Sequence, residues 1–403
     1  MAYLKVKDGG VASREFRPPS VSKEKDGCTY WWFCFFHCSQ VKTRQAMIIS
    51  PVREHHLKKT DGELREEFYR LRDFEDVAKL LEVSDSELAD YLYNFEEDEK
   101  YQTFTIPKRS GGVREISAPI SELKYLQWKL NQVLQIVYDP KPSAHGFVLE
   151  KNIVTNAQAH AGKRFILNLD LKDFFPSIHF GRVRELFMAE PYELPSLVAT
   201  TLAELCCYHN RLPQGSPTSP VISNMICAKM DVQFQSLAKN YQCTYTRYAD
   251  DLTFSTTRKK FPSNLAVFKG EEHEKQLLLG EAIIDIITEN GFAVNFKKVR
   301  LQSNDHHQEV TGLTSNEFPN VRRTLIREVR AMLHAWRKYG LENAERHYRQ
   351  KKDMGRAKHT GSHQFQLALR GKINFIGMVR GEDDEIYQKY LHQYEELLND
   401  ELP

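Results

Sequence analysis

Two adjacent acids, Asp250 and Asp251, stand inside Tyr245-Thr246-Arg247-Tyr248-Ala249-Asp250-Asp251-Leu252-Thr253-Phe254-Ser255. The runs on either side are rich in β-branched and aromatic residues, so the pattern predicts strand, tight turn and strand with the acids at the tip. Two carboxylates fixed side by side repel each other. The turn is therefore either an exposed acidic hairpin or a seat for a divalent cation. A second segment favours the cation. Phe165-Ile166-Leu167-Asn168-Leu169-Asp170 is an apolar strand that delivers Asp170 at its end, and Pro176 breaks the chain soon after it. Three hard oxygen donors from two strands suit Mg2+, which keeps some waters and binds substrate phosphates. Two such ions can activate an attacking hydroxyl and stabilise a leaving pyrophosphate, as transfer from a nucleoside triphosphate requires. Asp173 reads as a neighbouring support or surface acid.

The 403 residues predict one large domain or two to three subdomains. Residues 61–100 carry Leu64, Phe68, Leu71, Phe74, Val77, Leu80 and Leu81 at helical spacing. Residues 101–118 switch to a strand pattern around Pro107-Lys108-Arg109-Ser110-Gly111-Gly112, a hairpin with a basic loop. Helical patterns return over 121–137, 219–239, 276–290 (stopped by Gly291) and 321–350. Helices mixed with antiparallel hairpins predict an α+β fold.

Charge is distributed unevenly. Residues 321–372 hold fourteen Lys/Arg against four acids, a net +10, whereas residues 373–403 hold two against eight, a net −6. A basic block of this size is either a contact for a polyanion or a solvated helix face. Trp336, Tyr339 and Tyr348 interleave with it and read as packing residues. The acidic tail, with Ile386, Tyr390, Tyr394 and Leu397 at helical spacing, is expected to dock back onto the protein or onto a partner.

Seven scattered cysteines give no disulfide framework and fit a reducing, cytoplasmic setting. Cys28, Cys34, His37 and Cys38 match no common zinc spacing. The start of the chain reads as no export signal, and the apolar run Tyr30–Phe36 is far shorter than the roughly 20 residues a membrane span needs.

Three motifs in order carry a resemblance: Leu169-Asp170-Leu171-Lys172-Asp173-Phe174-Phe175-Pro176, then Leu212-Pro213-Gln214-Gly215-Ser216-Pro217-Thr218-Ser219-Pro220, then Tyr248-Ala249-Asp250-Asp251. Together they resemble the palm of the retron reverse transcriptases, over about residues 101–340. Group-II-intron and other bacterial reverse transcriptases share those motifs. Asn156-Ala157-Gln158-Ala159-His160 and Val310-Thr311-Gly312 resemble two further motifs typical of retrons, where these regions help recognise the cognate noncoding RNA.

The resemblance implies a right-hand polymerase, with fingers, a palm whose antiparallel sheet carries the catalytic aspartates, and a helical thumb. It implies Mg2+ ligation by Asp170, Asp250 and Asp251, with the Leu171 carbonyl as an extra ligand. Phe175, or Phe174, takes the place of an aromatic ring that would clash with a ribose 2′-hydroxyl. Gln214 lies in a loop whose small residues let backbone approach the incoming nucleotide. Lys108, Arg109 and Arg114, Arg114 foremost, are either a cover for the triphosphate or solvated charge. Lys298, or Lys297, would protonate the leaving pyrophosphate. Asn156, His160, Val310, Thr311 and Gly312 are expected at the RNA, His160 in recognition or positioning rather than acid–base chemistry. The basic helices would track an A-form template–primer duplex through phosphates and 2′-hydroxyls.

The expected organisation is an N-terminal extension of unread role (1–60), fingers and palm (61–320), a basic helical thumb (321–380) and an acidic tail (381–403). By resemblance the partners are a structured noncoding RNA serving as template and primer, its DNA product, deoxynucleoside triphosphates and a separate effector protein. Synthesis would start from an RNA 2′-hydroxyl and leave branched, RNA-linked single-stranded DNA (msDNA) in an antiphage defence role. The competing readings are a group-II-intron-type or other defence-associated reverse transcriptase, and an RNA-binding scaffold that controls a toxin.

Overall fold

The computed structural model describes residues 56–108, 111–269, 276–353 and 364–400, with 351–353 as backbone only. The cysteine–histidine cluster at 28–38, the apolar run at 30–36 and Arg109 lie outside the described residues.

The described residues open with three short helices, α1 (Asp61–Tyr69), α2 (Phe74–Leu80) and α3 (Asp85–Ala89). Thr60 caps α1 in a reciprocal box with Glu63. A π turn (Asp90–Asn94) and a 3-10 turn (Glu97–Glu99) come next, so the predicted helical stretch is a chain of short pieces. Then comes a hairpin, β1 (Tyr101–Pro107) and β2 (Val113–Pro119), paired from Tyr101↔Pro119 to Pro107↔Val113. Gly111 (φ 87°) and Gly112 (φ 77°) turn its tip. Helix α4 (Ser121–Val137) buries the predicted stripe of Leu123, Leu126, Leu130, Val133, Leu134 and Val137.

The palm sheet joins strands distant in sequence. β3 (Phe165–Asp170), β4 (Thr244–Tyr248), β5 (Asp251–Thr256) and β8 (Arg300–Ser303) lie antiparallel in the order β4-β5-β3-β8. Around them pack α5 (Ile153–Gln158), α6 (Phe180–Met188), α7 (Ser196–Cys206), α8 (Ser219–Asn240) and α9 (Glu281–Glu289). The sequence predicts one helix over 276–290. Instead, Gln276–Leu279 is β7, paired with β6 (Ala266–Lys269), and the helix begins only at Glu281. Gly280 marks the break, because a Cβ there would meet the Asn264 carbonyl oxygen at 1.8 Å. A run of leucines has no period, so it suits strand and helix alike.

A two-residue hairpin, β9 (Glu309–Val310) and β10 (Leu313–Thr314), leads into α10 (Arg323–Tyr339), α11 (Leu341–Asp353), α12 (Gln364–Arg380) and α13 (Glu385–Asn399). The predicted basic helix is thus two helices, split at Gly340 (φ 77°). The apolar interior forms two clusters. One fills the fingers and palm. The other joins α10–α13 to Ala157, Ile166, Val310 and Leu313. Trp336 sits inside the second, edge-on to Phe365 and Tyr394, and Tyr348 is edge-on to Phe365; Tyr339 stays exposed. The acidic tail docks back: Tyr390, Tyr394 and Leu397 are buried, and Glu396 and Glu395 pair with Arg337 (3.0 Å) and Arg370 (3.5 Å). No described helix is long and apolar enough to cross a membrane.

Candidate active site

The sheet register sets the acids. Asp170 ends β3 directly opposite Asp251, which begins β5, and Asp251 also faces Tyr248 across the tight turn. The Leu171 N–H donates to the Asp250 carbonyl (3.0 Å), joining the two acid-bearing segments by backbone. Ala249 holds φ 56°, a left-handed conformation that a side chain rarely adopts. It is over-determined from behind. Arg247 is wholly buried and grips Asp231 of α8 with Nε (2.8 Å) and Nη2 (2.7 Å). Its Nη1 donates to Asn224 Oδ1 (2.9 Å) and to the Ala249 carbonyl (3.3 Å). The Tyr245 hydroxyl donates to the same Asp231 (2.9 Å). On the other side Gly146 lies so close that a Cβ would stand 2.6 Å from the Ala249 nitrogen.

The acids strain against one another. Burial first, then the charges of Asp250 and Asp170, push the Asp251 carboxyl up to about 7. Its outer edge is open to solvent, yet its ionised form is still crowded by protein and by two like charges. Asp250 is raised for the same reasons, burial ahead of Asp170. Asp170 itself is buried and answered by cations and donors. Lys298 Nζ meets its Oδ2 at 2.5 Å, and Asn295 Nδ2 donates to its Oδ1 at 2.9 Å. Burial pulls the Lys298 ammonium down, but Asp170, Asp250 and Asp251 outweigh it and raise it. Lys298, rather than Lys297, is thus the lysine that reaches the acids.

Hard carboxylate oxygens carrying this surplus of negative charge fit a divalent cation. Among the described residues no three His, Cys, Asp or Glu side chains close into a ready cage. The donors present, carboxylates meeting at two strand ends, are of the hard kind that a divalent cation takes together with phosphates and water.

The other sequence-predicted residues fall into three groups. After Asp170, Phe174 is buried and stacked on Phe292 (5.6 Å), which leaves the half-buried Phe175 as the accessible ring. Gln214 is half-buried, and its carbonyl accepts from the Ser117 N–H of β2 (2.8 Å). Gly215 beside it is required, since a Cβ would lie 2.7 Å from the Ser117 carbonyl. On the hairpin, Lys108 and Arg114 are exposed, and the Arg114 charge counts among those that lower Asp250. The third group lies mostly inside the protein. Asn156 and Val310 are buried, and His160 is completely so, with Nδ1 2.6 Å from Ser255 Oγ and Nε2 2.7 Å from Thr246 Oγ1. These three side chains have no surface to offer an RNA; of the five only Gly312, exposed, and Thr311, half-buried, do.

Sequence reasoning missed Asn295 and the Arg247–Asp231 pair. The only sequence signal was a charged residue inside a strand of aromatic and β-branched neighbours; its partner is visible only once α8 lies against β4.

Residues 106–318 match the family described as reverse transcriptase (RNA-dependent DNA polymerase). The chain is 39% identical to the retron Mx65 reverse transcriptase of Myxococcus xanthus over 64% of its length and 62% of that protein's. It is 36% identical to the retron Mx162 reverse transcriptase of the same organism, covering 64% and 58%. It is 34% identical to the retron Ec86 reverse transcriptase of Escherichia coli, covering 66% and 78%. It thus spans about three fifths of the length of the two Myxococcus relatives.

Proposed function

The chain belongs to the reverse transcriptase family, and within it to the retron reverse transcriptases; on that footing we propose that it copies an RNA template into DNA from deoxynucleoside triphosphates. The observation that carries this reading is the meeting of Asp170, Asp250 and Asp251 at adjacent strand ends, with Lys298 bonded to the first. Such enzymes generally use divalent metal ions. Two Mg2+ ions on the three aspartates and the Leu171 carbonyl would polarise the primer hydroxyl and the leaving pyrophosphate.

The protein's own residues supply the rest. The clamped turn holds Asp250 and Asp251 so that little reorganisation accompanies bond formation. Lys298, released from Asp170 as substrate enters, gives its proton to the pyrophosphate. Arg114, with Lys108 and Arg109, neutralises the triphosphate. Phe175 stands where a 2′-hydroxyl would project, and Gln214 lines the nucleotide's approach. The exposed face of α10, bearing Arg323, Arg327, Arg330, His334 and Lys338, receives the template–primer duplex.

By its membership the template is a structured noncoding RNA, priming starts from an internal 2′-hydroxyl, the product is branched msDNA, and the role is antiphage defence with a separate effector. Nucleic acid extracted from the purified protein should contain RNA–DNA that debranching enzyme shortens; linear cDNA alone would rule out the priming step. Asp250→Asn with Asp251→Asn should lower synthesis by about a thousandfold or more with RNA binding retained. Defence that survives this loss would hand the function to a scaffold.

A further inference from the structure

His160 occupies a place that recognition of RNA does not explain. Successive side chains of a strand face opposite ways, and β4 uses both faces. Tyr245 and Arg247 point to Asp231 of α8, whereas Thr246 between them meets His160. The second ring nitrogen of His160 meets Ser255 on β5, so one imidazole bridges the two strands that flank the Asp250–Asp251 turn. Thr246 stands two residues before Tyr248, and Ser255 four residues after Asp251. The catalytic hairpin is therefore pinned from both faces, by α8 on one and by the end of α5 on the other.

Helix α5 is itself fastened elsewhere. Thr311 Oγ1 donates to the Ile153 carbonyl (3.2 Å) and accepts from Asn156 Nδ2 (3.5 Å). Asn156 Oδ1 is buried with no partner among the described residues, so the donor half of its amide makes the contact. Thr311 (φ 47°) and Gly312 (φ 82°) turn the β9–β10 hairpin, whose Val310 and Leu313 enter the same apolar cluster as Ala157 and Trp336. Two motifs about 150 residues apart thus form one unit, Asn156 meeting Thr311 at a sequence separation of 155. It lies between the helices α10–α13 and the strands of the acids.

We infer that His160 is a positioning residue for nucleotidyl transfer: it ties the strands flanking the Asp250–Asp251 turn to α5, the Asn156–Thr311 contact ties α5 to the β9–β10 hairpin, and Val310 and Leu313 pack that hairpin with the helices that receive the duplex. This rests on the polymerase reading above. A seated duplex then acts on Asp250 and Asp251 through packed side chains rather than through bases read by the motif.

The test uses the full chain and poly(rA)·oligo(dT), a duplex with no cognate RNA structure. His160→Leu should lower kcat about tenfold or more at saturating duplex and dTTP, with duplex Kd within about twofold. His160→Gln, which can still donate and accept, should restore most of that loss. Thr246→Val removes the strand partner at nearly constant volume; it should lower kcat likewise, and combining it with His160→Gln should add little further. It also answers the question should His160→Leu fail to fold. Unchanged kcat in Thr246→Val, or a His160→Gln defect confined to Kd for cognate RNA with normal synthesis on poly(rA)·oligo(dT), overturns the inference. A wild-type chain silent on this duplex overturns the polymerase reading, and the inference with it.

Discussion

The Asp250–Asp251 turn and the β1–β2 hairpin are both two-stranded ribbons, yet they are held in opposite ways. Behind the turn stand a buried guanidinium–carboxylate pair, a glycine that admits no side chain and a bridging imidazole. Gln102–Thr105 and Val113–Glu115 of the hairpin face solvent, and only its base, at Tyr101, Ile116, Ser117 and Pro119, is buried. The difference reflects the task of each. Carboxylates that repel one another keep their geometry only if the surroundings impose it. Cationic side chains that, on the proposed reading, meet a mobile triphosphate need reach instead.

The contrast breaks most easily at the buried pair. Asp231→Asn leaves Arg247 charged, buried and uncompensated, and should cost about 3–5 kcal/mol in urea unfolding. An unfolding midpoint unchanged by that substitution would show that the turn is not clamped from behind. Arg114→Ala probes the open ribbon. It should raise KM for dNTP about tenfold while shifting stability by no more than about 0.5 kcal/mol; a large loss of stability would mean that the hairpin is packed after all.

The smallest effect is in pH. Burial foremost, with His145 and Lys163 behind it, pushes His160 down to about 3; burial and then Lys151 push His145 to about 4. Unfolded, each binds a proton near pH 6.5, so below that value the unfolded chain holds more protons than the folded one. Stability should therefore decline as pH falls from about 6.5 toward 3. His160→Gln should flatten that decline in melting temperature, and a slope identical to wild type would contradict the buried neutral ring.

Where local chemistry decides structure, the sequence is legible. The bounds of α4 and β3 come from an uninterrupted period and a capped apolar run, and the Asp250–Asp251 turn comes from strand formers around two acids. The leucines before Gly280 mislead because they satisfy both periods. The clamp is invisible in the sequence because Arg247 and Asp231 become partners only when a helix and a strand are laid together. His160 is visible as a motif, but its burial is not. A histidine facing two hydroxyls across a sheet carries the same letters as one facing an RNA.

The hydrogen bond from the Ser117 N–H to the Gln214 carbonyl has a mechanical consequence. It fastens the base of the fingers hairpin to the palm loop, so any rotation of the ribbon takes place about that seam. Arg114 lies three residues along the strand, about 10 Å out; Lys108 lies near the far end. For one angular swing the tip sweeps the wider arc and Arg114 the narrower. On the proposed reading the ribbon is a graded lever: its tip would collect a distant triphosphate and its inner arginine would make the last, small adjustment over Asp250.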